Sequence, residues 1–76
     1  MSASSELLAA AVGYRARATP GDIHLAECLE QAAHNAAARE SAWEVAGYST
    51  QEQTQLAECW WRNELAVARS LHPWRE

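Results

Sequence analysis

Lysine and phenylalanine are absent from this sequence, and it holds three glycines, two prolines and two cysteines. Each shortage excludes something. Isoleucine occurs only at Ile23, and no stretch alternates apolar and polar residues as a half-buried strand does. Cys28 and Cys59 are too few for the disulfide framework on which small secreted domains depend. No apolar run approaches the roughly 20 residues of a membrane-spanning helix. The apolar stretch Leu7 to Val12 has no basic region before it, unlike a secretory signal. The expectation is a cytoplasmic protein with no membrane partner.

The chemistry-bearing motifs are missing as well. There is no glycine-rich phosphate loop, no G-x-S-x-G and no Cys-x-x-Cys. The reading is therefore non-enzymatic, with no catalytic residue and no cofactor. The formal net charge is −4 and every basic side chain is arginine. Nucleic-acid binders neutralise phosphates with clustered Lys and Arg, so this balance disfavours them.

What the sequence has in abundance is helix formers: alanine, with leucine, glutamate, glutamine and arginine beside it. A chain of 76 residues is one domain, and one this short gains stability from regular helix packing or association. The spacing predicts an all-α three-helix unit. A short N-terminal helix is followed by a long antiparallel helical hairpin.

The first helix is placed at 5–18, capped by Ser4 or Ser5, with Leu7, Ala11, Tyr14 and Ala18 on one face and Leu8 beside them. Gly13 weakens it by roughly 1 kcal/mol relative to alanine. Thr19-Pro20-Gly21-Asp22 is a strong start signal for a second helix over 20–46. Its apolar stripe is Leu25, Leu29, Ala32, Ala36 and Trp43, and Gly47 ends it. The opposite face carries His24, Glu27, Glu30, Gln31, His34 and Asn35. The third helix is placed at 50–71, opened by a capping box of Ser49 with Glu52 or Thr50 with Gln53, and stopped by Pro73.

This third helix is apolar on two faces. One is Leu56, Trp60, Asn63, Val67 and Leu71, with Cys59 beside it; the other is Ala57, Trp61, Leu65 and Ala68. Glu58 and Arg62 lie on the remaining strip, where they can pair at i, i+4. Trp60 and Trp61 project about 100° apart on a helix, so one core does not easily hold both. The first face is assigned to the core, along with Trp43. The second face, Trp61, Leu65 and Ala68, joined by Trp74, is assigned to contact with another protein, because tryptophan is enriched in interfaces.

Other constellations favour simpler explanations. His24, Glu27, Glu30 and His34 share one face of the second helix. Glu30 to His34 is one residue longer than a Glu-x-x-His ligand pair, and His24-x-x-Glu27 runs in the reverse order. A solvated acidic face, marked by Glu27 and Glu30, is the better account, and no metal is expected. The cysteines lie at unequal distances from the hairpin turn, so they are read as unbonded, buried thiols. Arg15 and Arg17 before a short turn loosely suggest helix-turn-helix, but the following helix is acidic. The segment Leu25-Ala26-Glu27-Cys28 is echoed 31 residues later by Leu56-Ala57-Glu58-Cys59. Two units are too few for a repeat array.

These observations point to a protein-binding module: a small acidic adaptor or inhibitor, of the kind that phages and mobile elements encode, or a self-assembling helical subunit. Its partner is a protein of unspecified identity, in a homodimer or a hetero-complex, with the acidic face steering toward a basic surface. A DNA-binding regulator and a metal or small-cofactor protein are the alternatives from other classes.

Overall fold

The computed structural model describes residues 2–70. They form four helices, α1 (Ala3–Arg17), α2 (Pro20–Val45), α3 (Thr50–Trp60) and α4 (Arg62–Arg69), and no strand. The all-α class is as the sequence implies, but the arrangement differs in two respects.

The helix starts follow cap chemistry. Ser2, not Ser4 or Ser5, caps α1, its hydroxyl accepting from the Ser5 backbone N–H. Thr19 caps α2 in the same way toward Asp22, with Pro20 in the first turn, where its missing N–H costs nothing. Between the two capping boxes the sequence allowed, the fold uses Ser49 with Glu52, and both reciprocal hydrogen bonds are present.

The α2 end is a Schellman motif. The Tyr48 N–H donates to the Trp43 carbonyl at 3.0 Å, and the Gly47 N–H to the Glu44 carbonyl at 3.1 Å. Gly47 supplies the φ of +90° this requires. The α1 end uses the same left-handed region without a glycine: Ala18 sits at φ 62°.

The first difference is a break at Trp61, whose φ of −117° and ψ of 37° lie outside the helical range. The predicted third helix is thus two, and α4 begins without a side-chain cap. The second difference follows from the first. The dominant antiparallel hairpin is α1 with α2, not α2 with a long third helix. Ser4 donates to Glu40 and Arg15 pairs with Glu30 at 2.7 Å, the two rungs of that hairpin. Ala10 and Ala11 on α1, and Ala26, Ala32, Ala33 and Ala36 on α2, are buried; such small side chains let the two backbones approach closely.

The break frees α4 to pack on α1. The buried Tyr14 ring sends its hydroxyl to the Val67 carbonyl at 2.9 Å and lies 2.8 Å from the Ser70 hydroxyl. That contact satisfies a polar group that burial would otherwise leave costly. Leu7, Leu29 and Leu65 are the most deeply buried large side chains. The two L-A-E-C segments play the same packing role: Leu25 and Leu56 half-buried, Ala26 and Ala57 buried, and the Glu and Cys residues outward or at the edge.

Candidate interaction surface

The break at Trp61 decides which side of the C-terminal helices faces inward, and it reverses the sequence assignment. Trp61, Leu65 and Ala68, expected to form an interface, are buried within the single chain, as is Ala57 beside them. Trp60, expected in the core, is 54% exposed. Trp61 packs against buried Trp43 with ring centroids 6.0 Å apart and planes tilted by 58°, a favoured aromatic geometry. A change of backbone direction at Trp61 turns α4 inward. Trp74 and Leu71 lie outside the described residues.

The same change redirects the charges. The Glu58–Arg62 pair anticipated at i, i+4 does not form, because those residues flank the break. Glu58 instead meets Arg69 at 2.6 Å, and Arg69 also reaches Glu6 at 2.7 Å. The Arg69 hydrogen bond holds the Glu58 carboxyl below its usual pKa. The two carboxylates in turn raise the pKa of Arg69.

Of the residues assigned to an acidic face, Glu30 is half-buried and held by a two-pronged hydrogen bond from Arg15, which lowers its pKa. Glu27 is exposed. Arg17 lies 3.5 Å from Asp22. The two arginines that suggested helix-turn-helix are thus engaged with acids of the chain's own α2.

What remains outward is a composite surface on α2 and the end of α3. Arg39 places its guanidinium 4.5 Å from the Trp60 ring centroid, within cation–π range. Asn35, Ala38 and Ala42 line a shallow groove of about 480 Å³ with these two residues, and buried Trp61 forms its floor. One turn beyond Ala42, Val45 is 87% exposed. The sequence offered one signal for this surface: of two adjacent tryptophans, one has to face out. Arg39 went unremarked because nothing in its local spacing links it to Trp60.

Two other places hold reactive or ionisable groups. Cys28 and Cys59 are free, as expected, but exposed rather than buried. Cys59 follows the Leu56–Trp60 side outward. The His24 Nε2 lies 3.8 Å from the Cys28 sulfur, one helical turn away. Cys28 borders a small hollow of about 210 Å³ between α2 and α4 that includes Leu25, Leu29 and Val67. A cleft of about 310 Å³ between α1 and α3 contains Glu6, Glu40, Glu58 and Arg69. Its carboxylates are already held by Ser4 and Arg69. No group of three His, Cys, Asp or Glu side chains among the described residues is placed to hold a metal ion. No helix of the described residues is long and apolar enough to cross a membrane.

No protein-family model, curated protein or solved structure matches this chain.

Proposed function

We propose that this chain is a non-enzymatic protein-binding module, an adaptor or inhibitor, whose contact surface is centred on Trp60. The observation that carries this reading is the exposure of Trp60, 54%, beside a groove on α2. Burial of a large aromatic side chain on association stabilises by roughly 1.5–3 kcal/mol, and tryptophan with arginine is the composition of binding hot spots. The earlier candidates, Trp61, Leu65 and Ala68, serve the core that presents this surface.

The test is affinity capture from the native host with three forms of the chain, each checked for helicity by circular dichroism. Wild type and Leu8→Ser, which alters an exposed leucine on α1, should retain the same partner. Trp60→Ala should lose it. Equal retention by Trp60→Ala, or no partner retained above an unrelated helical control, overturns the reading.

A further inference from the structure

Resting on that reading, we infer that the Trp60 surface takes an acidic peptide segment, one that sets carboxylates beside apolar side chains. The argument is the distribution of charge. The sequence carries ten acidic residues against six arginines, so an arginine in this chain readily finds a carboxylate. Arg15, Arg17 and Arg69 each do. Among the described residues Arg39 has no ion pair: its one recorded contact is the face of Trp60. Arg62, immediately after the buried Trp61, has no ion pair among the described residues either.

The acids of this part of α2 point elsewhere. Glu40 and Glu44 follow the groove alanines Ala38 and Ala42 by two positions, which is about 200° round the helix. Glu40 accordingly accepts from Ser4 on α1. The groove therefore presents cationic and apolar groups with no carboxylate of its own along its lining. In a net-negative molecule the lining of this groove is clear of negative charge.

The position of Arg39 over Trp60 gives it a specific chemistry. Its guanidinium lies 4.5 Å from the ring centroid, and among the described residues none of its N–H donors is taken by a carboxylate. Those donors form the fork that grips a carboxylate through two parallel hydrogen bonds. Trp60 thus holds Arg39 in place and lowers the entropy lost when an anion binds. The small side chains of Ala38 and Ala42 keep the groove shallow and open, and Val45 extends the strip to about 15 Å from Asn35 at 1.5 Å per residue. That length accepts two to three turns of a helix or a short extended segment. Stacking on tryptophan beside arginine would also suit a single-stranded oligonucleotide, but the groove lining holds a single arginine, where a polyphosphate backbone calls for several clustered cations.

The test uses fluorescein-labelled synthetic peptides of about twelve residues, three helical turns or so, read by anisotropy. One contains Leu, Ala and Glu, and a second replaces each Glu with Lys. A labelled oligothymidylate is the third probe. The acidic peptide should bind, more weakly as salt rises. Arg39→Glu should weaken it about tenfold or more and Trp60→Ala comparably, both side chains being exposed and the helical content unchanged. Equal binding of the two peptides, binding of neither, or tighter binding of the oligonucleotide overturns the inference. Its failure is separable from that of the module reading. If the captured host partner is lost by Trp60→Ala but kept by Arg39→Glu, the charge inference fails while the protein-binding reading stands.

Discussion

Trp60 and Trp61 are neighbours in sequence with opposite surroundings, and their substitution separates fold from surface. Trp61 is 7% exposed and packs edge-on against Trp43 with the ring planes tilted by 58°. Trp61→Ala should cost roughly 3–5 kcal/mol, the range for deleting a buried aromatic, and that is much of the stability of a domain this small. Trp60→Ala removes a half-exposed ring and a cation–π contact, together worth about 1 kcal/mol. Urea denaturation followed by far-ultraviolet circular dichroism should therefore rank Trp61→Ala far below Trp60→Ala; the opposite order would refute the inward placement of Trp61. The sequence made legible that one tryptophan of the pair had to face out. It did not say which, because both phases of an amphipathic stripe satisfy the same periodicity. The choice rests on a backbone bend that no glycine or proline announces.

At the scale of elements, the caps were the most readable features. Thr19, Pro20, Gly47 and the Ser49–Glu52 box all stand where their side-chain chemistry requires. The burial of Leu7, Ala11 and Tyr14, and of Leu29, Ala32, Ala36 and Trp43, follows the predicted stripes of the first two helices. The end of α1 is the exception. Ala18 holds a left-handed conformation with φ 62°, where its Cβ crowds the following carbonyl at a cost of roughly 1–2 kcal/mol. Glycine escapes that strain but gains freedom in the unfolded chain. Ala18→Gly should therefore stabilise by about 0.5–1 kcal/mol and raise Tm by several degrees for a domain of this size, measured by thermal melting. An unchanged or lower Tm would mean the left-handed cap is not strained. The end of α1 near Ala18 was legible from the Thr19-Pro20 start signal that follows it; its left-handed conformation was not, since alanine is ordinarily the best helix former, and neither was the break at Trp61.

For the whole molecule, charge links elements that are distant in sequence. Arg69 of α4 joins Glu6 of α1 to Glu58 of α3, and Arg15 of α1 joins Glu30 of α2. Hydrogen bonds from Arg69, Arg15 and Ser49 lower the pKa values of Glu58, Glu30 and Glu52 respectively. A carboxyl whose pKa is lowered by folding contributes stability above its ordinary value of about 4.3, and that contribution is lost as pH falls through the lowered value. Tm should hold between about pH 7 and 5 and fall below about pH 4. Glu58→Gln should start lower at neutral pH and show a shallower fall. The effect stays small because these pairs are solvent-exposed and screened by salt. A Tm that rises on acidification would contradict these pairings. The tertiary arrangement itself was the least legible level. Periodicity shows two apolar stripes on the C-terminal segment, but the one assigned to the core carries exposed Trp60 and the one assigned to an interface is buried, because that choice depends on the bend that sends α4 to Tyr14.

The slender attachment of α3 carries one more consequence. Ala57 is its only buried residue, with half-buried Leu56 beside it, so little apolar surface holds this helix down. Its amide hydrogens should exchange with solvent through local opening, at a free energy well below that protecting the centres of α1 and α2. A ligand that spans Trp60 and α2 would bridge this loosely held segment to the rigid hairpin. Occupancy would then be read as slower deuterium uptake along α3, with the already protected middle of α2 left unchanged.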